Sequence, residues 1–467
     1  MVTIKLTNTK GKIECPTIVL VKIRQVLRIR VPGAWYSPAY RNRSWDGFAY
    51  YLTEAGYFQL GLLSKIIDNL NKLGEDFDII DMRDNLKKSK IVTKFGKIEL
   101  RGYQLKAVES VVNNTVAGIP FNRGILDEAT NAGKTLIAAS IFKTYPDHLK
   151  MVFVVNRQHL YKQLKEELIE LVGSREVGYV GPDGKKVSRL MIVMAQSIVS
   201  SKTHLDMLDK FDICIVDECH YASSNTYKYI LSKLENSTIR IGLSGTPFKH
   251  KDKNKNEKIL AFFGPTLHAT SNMDLIKLGF STPPIITILE GNTEVKISGD
   301  YKEEEKLGLT ESKERNGKVV KRVKQHIKKS RYPLLVIAKY HTHTELLYKK
   351  VKKAFPELRV NYIHVKVKNR LEILDQFKKG DIDILISSKL IKEGQNLPLI
   401  KAIVLACGGD SLIDLLQSMG RGLRKHKSKK VVYIDDFYDK GAYLERHSKH
   451  RVKELKKQQF KVIHKNG

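Results

Sequence analysis

Short apolar runs recur along most of this chain, separated by stretches whose apolar positions repeat every three to four residues. Met151–Val155, Leu190–Val193, Ile213–Val216 and Ile239–Leu243 read as strands. The alternation returns at Leu334–Ala338, Arg359–Ile363, Ile382–Ile386, Ala402–Ala406 and Val431–Ile434. Continuous apolar runs between helical stretches mark strands buried on both faces, the α/β pattern of a parallel sheet. Ahead of them, Leu60 to Leu73 predicts an amphipathic helix with Leu62, Ile66, Ile67, Leu70 and Leu73 on one face. The pattern divides the chain into 1–97, a first sheet-bearing lobe over 98–290, a polar linker over 291–330 and a second lobe over 331–467. Lys249 to Lys258 is too charged to pack and reads as a loop. The residues after 436 read as a basic tail helix packed back on the body.

Charge adds a partner to this outline. The 467 residues carry 82 Lys+Arg against 50 Asp+Glu, a net charge of +32, which points to a polyanion. A membrane is disfavoured as that polyanion, because no apolar span of about 20 residues and no signal peptide appears. The four cysteines, Cys15, Cys214, Cys219 and Cys407, form no Cys-x-x-Cys pair. No structural zinc or disulfide framework is implied, and a reducing cytoplasm fits. Cys214 and Cys219 read as buried filler.

Three strings carry candidate chemistry. Asn131-Ala132-Gly133-Lys134-Thr135 lies between a strand entering at Arg123–Leu126 and a helix leaving at Leu136–Phe142. A strand–turn–helix unit aims backbone N–H groups and a helix N-terminus at an anion. Lys134 would reach the β- and γ-phosphates of ATP, and Thr135 would hold Mg²⁺. Glu128 breaks the strict spacing, standing where the first glycine belongs. The second string is Asp217-Glu218, delivered by the apolar run Phe211–Val216 to the carboxyl end of a strand, where open α/β sheets place ligands. Asp217 is the Mg²⁺ candidate and Glu218 the residue that orients and deprotonates water. In the third, Arg421 and Arg424 share one face of a predicted helix. Guanidinium groups opposite a γ-phosphate stabilise transition-state charge by about 10³–10⁵ in rate.

Taken in order from Leu100 to Arg424, the motifs resemble those of a superfamily 2 helicase. Leu100-Arg101-Gly102-Tyr103-Gln104 resembles the adenine-reading motif, which implies that Arg101 and Gln104 lie at the nucleotide and that Gln104 bonds the base edge. Ala129-Thr130-Asn131-Ala132-Gly133-Lys134-Thr135 resembles motif I, with Ala129 for the usual proline and Asn131 for a common glycine. The resemblance therefore implies that Thr130, Asn131, Ala132 and Gly133 help to bind phosphate. Val154-Val155-Asn156-Arg157 through Gln163 resembles motif Ia, and Ala195-Gln196-Ser197 the next strand-binding motif. Nucleic-acid contacts at Asn156, Arg157, Gln196 and Ser197 follow from that likeness. Ser244-Gly245-Thr246-Pro247 is similar to motif III, which links ATP state to nucleic-acid grip in the family. Ser387-Ser388 and Gly394-Gln395-Asn396-Leu397-Pro398 resemble motif V, implying Ser387 at nucleic acid and Gly394 at nucleotide, with Asn396 replacing the usual acid. The implied fold is two tandem RecA-like parallel-sheet lobes with a small α+β N-terminal domain, and the implied cofactors are ATP and Mg²⁺.

Three segments look like the phage UvsW type of branched-DNA helicase: the Asn131–Thr135 turn, Arg43-Ser44-Trp45-Asp46-Gly47, and the basic stretch Glu445–Arg451. That likeness implies a DNA partner, branched or at a single-strand/duplex junction, acted on in a host cytoplasm during replication, recombination or repair. RNA remodelling and double-strand translocation without strand separation remain alternatives, because they use the same motor motifs. The first segment gathers Trp35, Tyr36, Tyr40, Trp45, Phe48, Tyr50, Tyr51, Tyr57 and Phe58 beside Arg24, Arg28, Arg30, Arg41 and Arg43. Most of these rings read as a core. Arg43 and Trp45, in a Gly-bounded turn, are the candidates for nucleic-acid contact.

Overall fold

The computed structural model describes residues 1–248, 252–292, 300–388, 397, 399–409, 425–426 and 429–465. Two compact units emerge, Met1–Thr270 and Ser271–Gly467.

The first unit opens with strands β1 (Val2–Leu6) and β2 (Lys10–Glu14), helix α1 (Thr17–Val26), and the antiparallel pair β3 (Arg28–Arg30) and β4 (Phe48–Tyr50). Strand β5 (Tyr57–Gln59), helix α2 (Leu63–Leu73) and strand β6 (Phe77–Asp81) complete a four-stranded sheet in the order β5-β2-β1-β6. Helix α2 buries Leu63, Ile66, Ile67 and Leu70 and ends at Gly74, whose φ of 69° is the left-handed C-cap conformation. Leu73, expected on the buried face, is at the last turn and exposed. Leu60–Leu62 is a short 3₁₀ turn ahead of the helix.

This N-terminal part does not own a separate core. Its apolar cluster includes Phe121 and Ala261 from the following lobe. Lys65 pairs with Glu257 at 2.6 Å, and the Tyr51 hydroxyl donates to the backbone oxygen of Asn254 at 2.7 Å. Buried Arg123 donates to the Asn8 carbonyl at 2.6 Å and to the carbonyls of Ser237 and Phe262 at 3.1 Å. The boundary expected at 97 therefore does not separate two compact bodies.

The lobe itself contains helix α3 (Gly102–Val112), strand β7 (Arg123–Glu128), helix α4 (Lys134–Thr144), strand β8 (Met151–Val155), helix α5 (Gln158–Val172), strands β9 (Val177–Gly181), β10 (Gly184–Lys186) and β11 (Leu190–Met194), and helix α6 (Ala195–Val199). Strands β12 (Ile213–Asp217) and β13 (Ile239–Ser244), helix α7 (Lys253–Phe263) and strand β14 (Thr266–Thr270) follow. The sheet order is β10-β9-β11-β8-β12-β13-β7-β14. Among the described residues, only the β9–β10 pairing of this sheet is antiparallel. Along β12, Ile213 and Ile215 enter one core and Cys214 and Val216 the other, as period-two alternation between two covered faces requires. Lys253–Phe263 is a helix where a loop was expected over Lys249 to Lys258. The Asp252 carboxylate caps it through the Asn254 N–H at 2.9 Å, and Ile259, Phe262 and Phe263 bury its inner face.

The second unit begins with helix α8 (Asn272–Lys277) and strand β15 (Pro284–Glu290). Helices α9 (Tyr301–Glu305) and α10 (Lys313–Lys328), strand β16 (Leu334–Ile337), helix α11 (His341–Ala354), strand β17 (Val360–Ile363), helix α12 (Arg370–Lys379) and strand β18 (Ile384–Ser387) come next. Strands β19 (Ala402–Leu405) and β20 (Val432–Tyr438), helix α13 (Ala442–Lys457) and strand β21 (Lys461–Lys465) complete it. All pairings of this sheet, ordered β17-β18-β16-β19-β20-β15-β21, are parallel.

Two expectations change here. The first lobe ends at Thr270 rather than 290, because β15 pairs with β20 in the second sheet. The segment expected to link the lobes belongs to the second unit's body. Helix α10 buries Val319 and Val323, and its Arg315 is fully buried against Asp439, with Nε–Oδ1 at 2.6 Å. The basic tail is helical over α13 and anchored by Arg451, whose Nε donates to Asp436 Oδ2 at 2.8 Å. Its end adds strand β21 to the sheet edge. Among the described residues, no helix is long and apolar enough to cross a membrane. The architecture is the expected one: two RecA-like parallel-sheet lobes with a small α+β N-terminal part.

Candidate active site

Strand β7 carries the chain to the carboxyl edge of the first sheet and into the turn 129–133, after which Lys134 starts α4. Two residues of the turn adopt left-handed backbone: Asn131 at φ 78° and Gly133 at φ 80°. Asparagine tolerates that region better than other side-chain-bearing residues, so Asn131 can replace a glycine. Gly133 cannot be replaced so easily, because a Cβ there would collide with the Gln104 amide. Among the described residues no side chain caps the N-terminus of α4, which suits an anion site.

The off-pattern Glu128 is fully buried, and its Oε1 is 2.6 Å from Nδ1 of His268 on β14. The side chain is thus held by the sheet's edge strand, while the Glu128 carbonyl accepts from the Lys134 ammonium at 3.2 Å. Burial alone would lower the Lys134 pKa, but the charges of Glu218, Asp217 and Glu128 outweigh it and hold the ammonium above the ordinary lysine value. Lys134 and the two acids of the second string are therefore within Coulombic reach of one another. The neighbouring Asp127 carboxyl is pushed up to about 6, chiefly by burial and against the pull of Lys134.

Asp217 ends β12, and Glu218 follows in a left-handed conformation at φ 50°. Backbone strain of this kind in a non-glycine residue gathers at functional sites. Glu218 Oε2 accepts from the Ser244 hydroxyl at 3.0 Å and lies 3.2 Å from His220 Nδ1. Burial opposes its ionisation, but Lys134, His220 and Ser244 hold the carboxyl well below the usual range. Ser244, at the end of β13, also accepts from the Thr246 N–H at 3.1 Å. The Ser-Gly-Thr-Pro string is thereby tied directly to the acid. Cys214 and Cys219 are buried beside these elements, with both thiols pushed up by burial.

Gln104, buried on α3, accepts from the Arg101 N–H at 2.9 Å and donates to the Ala132 carbonyl at 2.8 Å. Tyr103 donates to the same carbonyl at 3.0 Å. The residues singled out as base-reading thus also brace the phosphate turn, a role the sequence reading did not foresee. Thr130 sits half-buried in the turn. The Thr135 hydroxyl donates to Glu167 Oε2 at 2.6 Å, a partner that no string pointed to. Thr135 and Asp217 offer a hydroxyl and a carboxylate, hard oxygen donors of the kind Mg²⁺ takes.

The strand-binding candidates lie along the same carboxyl edge, past β8 and β11. Asn156 and Arg157 are half-buried, and Arg157 donates to the Tyr221 hydroxyl at 3.3 Å. On α6, Gln196 is exposed and Ser197 half-buried. In the second unit Ser387 is fully buried and its hydroxyl donates to the Ser388 carbonyl at 2.6 Å, because it ends a core strand. Arg421, Arg424 and Gly394 lie outside the described residues. In the N-terminal part, Arg43 is exposed at φ 61°, while Trp45 is half-buried with its indole N–H donated to the Phe48 carbonyl at 2.8 Å. Among the rings that face outward are Trp35, 52% exposed, and Tyr36, 69% exposed, with centroids 5.5 Å apart; Tyr50 and Tyr57 are exposed too.

Comparison with known proteins extends this picture. Residues 97–249 match the family described as type III restriction enzyme, res subunit, and residues 318–426 match the helicase conserved C-terminal domain. The chain is similar to helicase 22 of Sulfolobus islandicus filamentous virus, at 27% identity over 72% of this chain and 64% of that protein. It is also similar to the ATP-dependent DNA helicase uvsW of Enterobacteria phage T4, at 25% identity over 92% of this chain and 88% of that one. Against helicase 22 the chain spans slightly less than two thirds of the relative's length. Among solved structures, a fragment of an HsdR-type subunit of a type I restriction enzyme from Vibrio vulnificus YJ016 shares the fold. Its TM-score is 0.61 at 18% identity, over 80% of this chain and 70% of that one.

Proposed function

The chain belongs to the superfamily 2 helicases, and from that premise we propose that it is a DNA motor that unwinds or remodels branched DNA. The family's activity, ATP hydrolysis stimulated by nucleic acid, supplies the drive. The observation that carries the site assignment is the gathering of Lys134, Thr135, Asp217, Glu218 and Ser244 along one carboxyl edge of the first sheet. Bound there, Mg²⁺-ATP supplies the phosphoryl group to be transferred and a divalent charge across its oxygens. Lys134 and the turn's backbone N–H groups hold the phosphates, Thr135 and Asp217 hold the metal, and Glu218 orients the attacking water. Ionised Glu218, held by Ser244 and His220, is set to accept a hydrogen bond from that water. Arg421 and Arg424 are assigned by family likeness to the developing phosphoryl charge.

The DNA reading draws on the phage relative that this chain matches over 92% of its length. It also draws on the arginine- and aromatic-bearing N-terminal part built onto the first lobe. Exposed Arg41 and Arg43 suit phosphates, and Trp35 and Tyr36 offer faces on which a base can stack. Contacts along the backbone would come from Asn156, Arg157, Gln196 and Ser197, without sequence preference. Strand displacement on forks, Holliday junctions and linear duplexes, beside ATPase stimulation by DNA and by RNA, tests this reading. Branched DNA should be the best substrate, and preference for RNA would refute it. Lys134→Ala should abolish turnover on every substrate while leaving DNA binding intact.

A further inference from the structure

Thr135 is assigned above to Mg²⁺, yet a threonine hydroxyl has one proton and two lone pairs, and only a lone pair can meet a metal. The proton must therefore go to another acceptor. Here it goes to Glu167, whose Oε2 lies 2.6 Å from the Thr135 oxygen. The other carboxylate oxygen, Oε1, accepts from the Gln163 side-chain amide, also at 2.6 Å. Gln163 and Glu167 are one helical turn apart on α5, so the carboxylate is held from both sides on a packed helix. A proton committed to a carboxylate leaves the lone pairs of the hydroxyl turned away from that carboxylate and makes its oxygen a better donor.

We propose that Glu167 is a positioning residue for the magnesium site: it takes the Thr135 proton and so presents that oxygen to Mg²⁺. The proposal rests on the assignment of Thr135 to the metal. It also gives α5 a part at the nucleotide. The N-cap of this helix, Arg157, reaches the Tyr221 hydroxyl just beyond Glu218, while its middle reaches Thr135. One helix thus touches both elements that bear the chemistry.

The test is binding rather than turnover. The affinity of the full chain for a fluorescent ADP analogue is titrated against MgCl₂, without nucleic acid, for wild type, Glu167→Ala, Glu167→Gln and Thr135→Val. Loss of a partner behind a metal ligand typically costs about 10–100-fold in metal affinity. Glu167→Ala should therefore raise the half-saturating Mg²⁺ concentration by about 10-fold or more, with metal-free nucleotide affinity unchanged. Glu167→Gln keeps an amide oxygen that can accept the same proton and should recover most of the loss. ATPase of Glu167→Ala should climb back toward wild type at high Mg²⁺, which a fold-wide defect would not allow. An unchanged or tightened Mg²⁺ dependence in Glu167→Ala overturns the role of Glu167. If Thr135→Val also leaves the Mg²⁺ dependence untouched, the assignment of Thr135 to the metal fails, and that outcome is separable from the first.

Discussion

Glu218 is held by opposing forces: burial favours its neutral acid, while Lys134, His220 and Ser244 favour the carboxylate and win. A strongly acidic carboxyl orients water well but is a weak proton acceptor. On the proposed reading, Glu218 would gain basicity once Lys134 turned its charge to phosphates. Glu218→Gln should lower DNA-stimulated ATP turnover by about 10²–10⁴, the usual worth of a general base, with nucleotide affinity retained in equilibrium binding. Asp127 behaves in the opposite sense. Its folded pKa near 6 lies above the unfolded value of 3.8, so between these values the folded chain binds more protons. Its contribution to stability thus falls as pH rises from about 4 to about 6. Asp127→Asn should flatten that slope in urea unfolding measured across the same interval, and parallel curves for the two proteins would refute the shift. Lys134, Thr135, Asp217 and Glu218 were legible because each sits in a short string with its strand or helix attached. Glu167 was not, because its link to Thr135 spans 32 residues and joins two helices whose packing no local pattern reveals.

At the scale of elements, the joint between the N-terminal part and the first lobe is made by backbone contact. Gly61, ahead of α2, lies so close to the carbonyls of Leu260 and Ala261 on α7 that a Cβ would overlap them. Gly61→Ala should cost about 1–3 kcal/mol, the usual range for overpacking. It should also speed limited proteolysis within 1–97 relative to the rest of the first unit; unchanged unfolding and cleavage would count against this joint. Strand centres were readable because two-sided burial leaves an unbroken apolar run, as in Ile213–Val216. The packing of α7 and α10 was not, since lysine-rich surfaces hid the inward residues. In α10, Val319 and Val323 stand four apart among lysines and arginines, a stripe that carries meaning only once β16 and β19 provide a core to receive it. Strand β15 was allotted to the wrong lobe for the same reason: a run of apolar residues does not name its partner.

For the whole molecule, the net charge of +32 makes binding a matter of counter-ions. If six to ten phosphates are neutralised, affinity for duplex DNA should fall by about 10³–10⁵ between 50 and 200 mM salt. Combining Arg41→Ala with Arg43→Ala should lower the slope of log K on log salt by about 2, one for each lost phosphate contact. An unchanged slope would remove these arginines from the DNA surface. The sequence alone determined the family and the two parallel-sheet lobes and offered the chemical strings as candidates, because covalent order and local apolar period are enough for that. It also determined the sign of the partner's charge, which is a sum over residues and needs no fold. Tertiary structure alone decided that the N-terminal part shares a core with the first lobe, that the supposed linker belongs to the second, and that Gln104 braces the turn while His268 and Glu167 hold Glu128 and Thr135 on either side of it. Those relations are contacts between residues distant in the chain, and such contacts are chosen by packing the whole rather than by any window of sequence.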